Sequence, residues 1–310
     1  MKTPGLLGFI NLSVSLGGLF GSLVLFLNLQ KQSNRPSTLQ ILYKTISVAG
    51  ILSSALYILP VFSSHFEEGP FSDPAVCGFF AYSWNYLASF QTFLVLLVLL
   101  VSVARIRLEK TARFVAFAQE KVSSGISLTS DNASRFIAIT GFMLVLLYAL
   151  LTAAGHLSPT PKGMMVWEQL LAPTLVLDDL SFAGSLVFST LTTFGPLIGI
   201  SACLLAVSIS VCQRQRKIVD SSFGDTSSSV TDLKVSVYLG ITSLILTTPY
   251  AIYLIENILD VRHKVCGIHG VHFENAALFV APAVRSAISG VVIWYKSNVT
   301  DYRSSSLAIV

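Results

Sequence analysis

Hydrophobic positions along this chain fall into seven long runs separated by short polar or turn-forming stretches: 6–29, 39–62, 77–106, 136–154, 181–212, 234–259 and 273–295. A helix rises about 1.5 Å per residue and needs roughly 20 apolar residues to cross a hydrocarbon core, so each run reads as a membrane helix. The third run organises the rest. Its 27 residues from Gly78 to Ala104 carry no formal charge, and then Arg105, Arg107, Lys110 and Arg113 follow within nine residues. The first half holds Tyr82, Trp84, Asn85, Tyr86, Gln91 and Thr92, while the second is almost wholly Leu and Val. A helix that is polar near its mouth, apolar below and basic at its foot suits a bundle centre better than a lipid-facing anchor. The expected architecture is an all-α membrane protein. It is a single seven-transmembrane helix bundle over 1–310, ending in a short tail at 296–310.

Composition agrees with that class. The chain is 53% hydrophobic and 12% charged, with mean hydropathy +0.71, against about a quarter charged residues in an ordinary soluble domain. Charge then orients the bundle. Fifteen of the 20 Lys and Arg residues fall on one side of the seven runs, four (Lys2, Lys162, Arg262, Lys264) fall on the other, and Arg285 lies inside the last run. Positive-inside places the N-terminus outside the cell membrane and the C-terminus in the cytoplasm. The acidic connections 63–75 and 155–180, both read as loops, face outward. Another apolar run follows the first almost at once, so 6–29 reads as a span rather than a cleaved signal. Lys44 lies near enough to a boundary to snorkel. The net charge of +4 does not imply nucleic acid, because the basic residues flank apolar segments whose partner is the lipid bilayer.

The candidate chemistry is sparse. All five histidines fall in outward connections, so no catalytic or metal cluster is expected within the spans, nor any cofactor or enzyme activity. Cys77 and Cys266 both lie at outer helix ends, which permits one disulfide or two unrelated thiols. An upper pocket of aromatic walls and a few polar groups is expected from Trp84, Asn85, Gln91, Tyr250, Tyr253, Glu256 and Asn275. Interfacial aromatic belting would place Trp84 and Tyr253 there equally well. Pro196 and Pro249 each remove a backbone hydrogen bond inside a run and allow a bend. Arg285 must be solvated or paired, since guanidinium keeps its proton. It either fills the polar middle of the bundle beside Ser286 and Ser289 or reaches a wet outer vestibule.

Several strings resemble the rhodopsin-like (class A) G-protein-coupled receptors. Leu100–Ile106 (LVSVARI) stands where that family has its acid-arginine-aromatic triplet, with Ala104 for the acid and Ile106 for the aromatic. Matching Cys77 to the family's cysteine would instead put Ser102 at the arginine position. Phe194–Leu204 (FGPLIGISACL) resembles the proline-centred fifth helix, and Leu246–Tyr250 (LTTPY) keeps the sixth-helix proline as Pro249, with Thr247 for the tryptophan. Gly50 occupies the place of the sodium-binding aspartate, and Ser286–Ile293 (SAISGVVI) replaces the seventh-helix motif.

The resemblance implies a receptor whose partners are an extracellular ligand and a heterotrimeric G protein. It places Arg105, Arg107, Arg214 and Lys234 at the transducer. Gly50, Pro196, Thr247, Pro249, Arg285, Ser286 and Ser289 become the core switch. The upper third helix has no acid to hold an amine ligand, and the seventh run has no lysine above its foot to form a retinal Schiff base. A ligand-binding protein that does not signal is the alternative within this class. A transporter would show an internal repeat or paired broken helices, and none is evident.

Overall fold

The computed structural model describes residues 6–31, 38–63, 74–116, 130–154, 157–165, 169–177, 182–218 and 227–259. The helices are α1 (Leu6–Lys31), α2 (Thr38–Ser63), α3 (Pro74–Ala116), α4 (Ser130–Ala153), α5 (Phe182–Ser189), α6 (Gly195–Ile218) and α7 (Ser227–Leu259), with a π-helical turn, Thr190–Phe194, joining α5 to α6. Among the described residues five stretches are long and apolar enough to cross a membrane: Leu12–Gln30, Thr38–Leu56, Gly78–Ala104, Ser134–Ala153 and Leu186–Ser210. They coincide with the first five apolar runs and make this a membrane protein. The sixth run lies in α7, and its described side chains include the apolar stretch Lys234–Thr248. The seventh, 273–295, and the tail lie outside the described residues.

Several elements differ from the sequence expectation: α6 runs on to Ile218, α7 begins at Ser227, and three further differences have local reasons. The helix α3 continues past the membrane foot to Ala116, because Arg, Leu, Glu and Lys are good helix formers and no Gly or Pro interrupts them. The start of α4 falls back to Ser130, where Ser, Asp and Asn favour a helix N-terminus. The fifth run is not one α-helix but α5, the π-turn and α6.

The connection 155–180 is also not all loop. It forms an antiparallel hairpin of β1 (Leu157–Met165) and β2 (Gln169–Leu177), the one departure from helix among the described residues. Its register pairs Pro161 with Pro173 and Pro159 with Leu175. All three prolines thus share one phase of the strand alternation, so their missing N–H groups can all point away from the partner strand. Both strands contact α3, while β2 also meets α2 and β1 also meets α4, so the hairpin lies across one end of the bundle.

The helix α3 occupies the centre, touching α2, α4, α6 and α7. Its Leu94, Val95, Val98 and Leu99 are buried among Ile200 and Cys203 of α6, Val235 and Leu239 of α7, and Leu42 and Ile46 of α2. The outer surface is apolar as well: Phe20 is 70% and Phe142 is 65% exposed, as suits side chains that meet lipid tails. Burial therefore does not drive these helices together; close packing and internal hydrogen bonds do. Serines and threonines can sit inside because their hydroxyls bond back to the preceding turn. Ser47 donates to the Tyr43 carbonyl at 2.8 Å, and Thr92 donates to that of Ala88 at 2.9 Å.

Gly50 illustrates the close packing. It lies where α2 meets α1, and a Cβ at this position would come within 2.6 Å of Ser22 Oγ. Gly50→Ala should lower the thermal unfolding midpoint in detergent by the equivalent of about 1 kcal/mol, the low end of overpacking costs. Adding Ser22→Ala should restore it, because the remaining Ser22 Cβ would be 3.4 Å away, an ordinary contact. Equal stability of the single and double variants would show that the two residues do not meet.

Candidate functional site

The polar side chains gather at two levels of α3. The upper level is built outward from Gln91, which is 5% exposed. Its Nε2 donates to Ser53 Oγ of α2 at 3.0 Å, fully inside the bundle. Two residues earlier, Ser89 Oγ lies 3.3 Å from Tyr148 Oη of α4. The Tyr148 ring meets Phe188 of α5 edge-to-face, with centroids 5.7 Å apart, an arrangement aromatic pairs favour. Tyr86 stacks on Phe90 at 5.7 Å and reaches toward the Gly141 carbonyl. Four helices thus meet through named side chains.

The π-turn contacts α3 and α7. Thr192 and Thr193 are buried there, and Thr192 Oγ1 donates to the Phe188 carbonyl at 2.8 Å. Its cause can be read from the sequence. Pro196 has no N–H to offer and its ring would strike the carbonyl four residues back, so the helix takes one wider turn before it. Gly195 N–H closes that turn on the Thr190 carbonyl. Two hydroxyls around this level, Ser54 Oγ and Ser189 Oγ, are buried with no hydrogen-bond partner among the described residues. Each leaves about 1–3 kcal/mol of hydrogen-bonding capacity unmet, which a water or a polar ligand group would satisfy.

The lower level ties α3 to α7. Ser102 Oγ donates to the Val98 carbonyl at 2.8 Å and lies 2.7 Å from Ser236 Oγ. Either serine hydroxyl can be the donor between the two. Close approach about one turn along α7 reinforces that contact: a Cβ on Gly240 would be 2.9 Å from Leu99 Cδ1 and 3.1 Å from Leu204 Cδ2 of α6. The pairs 102–236 and 99–240 run in opposite senses, so α7 is antiparallel to α3. Arg105 and Arg107 follow on α3 within five residues of Ser102.

Of the expected pocket residues, Gln91 is buried, Asn85 is half-buried, and both belong to α3. The side chains of Trp84, Tyr250, Tyr253 and Glu256 lie outside the described residues, and so does all of Asn275. Of the expected switch residues, Gly50, Pro196 and Thr247 are buried in the bundle, but the Pro249 side chain and Arg285, Ser286 and Ser289 lie outside the described residues. So do the side chains of Arg105, Arg107, Arg214 and Cys77, and all of Cys266. Lys234 is exposed at the start of the apolar part of α7. Among the described residues no three of His, Cys, Asp and Glu come together to hold a metal ion. Sequence reasoning did not single out Ser53, Ser89, Tyr148 or Ser236. Their common signal is a small hydroxyl or a tyrosine in an otherwise apolar run, which many lipid-facing positions also carry. No protein-family model matches the chain, and no curated protein is similar to it at a significant level.

Proposed function

We propose that this protein is a seven-helix receptor of the rhodopsin-like kind. It passes ligand binding at the hairpin end of the bundle to a heterotrimeric G protein at the basic end. In this reading the run 273–295 is the seventh span, the N-terminus is outside the cell membrane, and the tail is cytoplasmic. The observation that carries the proposal is the two-level build of α3. A polar level around Gln91 and the π-turn, partly satisfied and open to further hydrogen bonds, stands about 14 residues, or roughly 21 Å, from the basic foot at Arg105. Between the levels, α3, α6 and α7 interlock through Leu99, Leu204 and Gly240. A ligand that reorganises the upper level would therefore change how the same three helices present Arg105, Arg107 and Arg214 below. The divergent strings around Ala104, Thr247 and Gly50 favour a second reading, a binding protein of the same build that does not signal.

Basal G-protein activation by wild type and Arg105→Ala, compared at equal surface expression, tests the proposal. The variant should lose most of the basal signal, and a C-terminal tag should stain only after permeabilisation. Wild-type silence across G-protein classes would favour the non-signalling reading. Equal signalling by the two proteins would remove Arg105 from the transducer surface, and C-terminal staining on intact cells would overturn the orientation.

A further inference from the structure

The helix α7 has two unlike faces. Val235, Ser236, Leu239 and Gly240 turn inward toward α3, whereas Lys234, Tyr238, Ile241 and Ile245 are exposed. The exposed four recur at i, i+4, i+7 and i+11, which makes one continuous stripe opposite the packed face. Tyr238 is 60%, Ile241 44% and Ile245 65% exposed, with the lysine at the foot of the sixth apolar run. From Lys234 to Ile245 the stripe spans roughly 16 Å, about half of a ~30 Å hydrocarbon core and so one leaflet deep. Neither the Lys234 ammonium nor the Tyr238 hydroxyl has a hydrogen-bond or ion-pair partner among the described residues.

We infer that this face of α7 is a binding site for an anionic phospholipid, with the phosphate on Lys234 and Tyr238 and an acyl chain along Ile241 and Ile245. The order of groups along the stripe matches the order along the lipid: cation and hydroxyl donor first, then a branched apolar surface that ends at the bilayer middle. A zwitterionic headgroup brings its own cation to the same place and gains less from the lysine. The α4 stripe of Arg135, Ile139, Phe142 and Leu146 is equally exposed but has no hydroxyl one turn in. It is the internal control. In this inference Lys234, exposed on the outward face, meets the headgroup layer. The inference depends on membrane embedding and not on signalling.

Native mass spectrometry of the full chain in detergent micelles, titrated with phosphatidylglycerol or phosphatidylcholine of identical acyl chains, tests it. Wild type should bind the first phosphatidylglycerol more tightly than phosphatidylcholine. Lys234→Ala and Lys234→Gln should weaken that step roughly fivefold, as expected for one basic residue beside an anionic headgroup, and leave phosphatidylcholine binding unchanged. Tyr238→Phe should weaken phosphatidylglycerol binding as well, and Arg135→Ala should not. Unfolding midpoints measured in phosphatidylcholine alone check that each variant is folded. Equal affinity of wild type for the two lipids would overturn the site. So would a loss from Arg135→Ala as large as from Lys234→Ala, no effect of Tyr238→Phe, or displacement of the lipid by inorganic phosphate.

Discussion

Replacing Gly195 by alanine is expected to destabilise the bundle by about 1–3 kcal/mol, the usual cost of forcing an extra group into a packed helix. The cause is space and not backbone freedom, since Gly195 has ordinary helical angles, φ −58° and ψ −54°. A Cβ there would lie 2.7 Å from the Thr190 carbonyl oxygen, the same atom that accepts the Gly195 N–H. A flexible side chain could turn aside, but this carbonyl cannot move without giving up the bond that closes the π-turn. Collapse of the turn to a regular helix would rotate everything before it by about 100°, one residue of a 3.6-residue turn. Phe188 would then leave Tyr148, and Thr192 and Thr193 would leave the interior. Pro196→Ala should cost less, because it restores an N–H and adds no clash. Thermal unfolding in detergent, with surface staining in cells, measures both. A Gly195→Ala protein as stable as wild type would show that the turn is not held by this approach.

Much of this architecture was legible in the chain because membrane insertion imposes few and simple rules. Uncharged length marked the first five spans, and the graded polarity of Gly78–Ala104 marked α3 as central, as its contacts with α2, α4, α6 and α7 show. Pro196 marked an irregularity in the fifth run. Its form was not legible, because a missing N–H is compatible with a kink or with a widened turn, and the choice depends on the room Gly195 leaves beside Thr190. The hairpin at 157–177 was hidden for a similar reason. Pro159, Pro161 and Pro173 read as turn formers one at a time, and only pairing across the strands puts them in one harmless phase.

The polar contacts were the least legible part. Gln91 was marked by its type, since a glutamine inside an apolar run needs a partner, but nothing in the sequence pointed to Ser53, which is 38 positions away. Ser102 and Ser236 are 134 positions apart, and serine is too common in these helices for either to stand out. Gly50 shows how one residue admits two descriptions. In the sequence it stood only as a small residue at a position singled out by resemblance. By packing it is a place where a side chain would meet Ser22, and only that second description can be read from the contacts of α1 with α2.

The same packing logic makes Gly240→Leu the most disruptive single change expected at the foot of the bundle. Alanine at this position would ask two leucine methyls, Leu99 Cδ1 at 2.9 Å and Leu204 Cδ2 at 3.1 Å, to shift by a few tenths of an ångström. Side-chain ends can do that, so Gly240→Ala should change stability little. A leucine adds three more carbons to a gap already filled from two helices, and overpacking of this kind costs about 1–3 kcal/mol or more. It would push α7 away from α3 at the height of the Ser102–Ser236 bond, and interhelical hydrogen bonds in membranes contribute only about 0.6 kcal/mol on average, too little to hold the pair. Gly17→Leu, whose site has nothing within 4 Å, is the matched control and should be tolerated. The double variant Gly240→Leu with Leu204→Ala should recover part of the loss by returning volume to the same gap. Wild-type unfolding midpoints for Gly240→Leu, or no recovery on adding Leu204→Ala, would mean that α3, α6 and α7 do not interlock there.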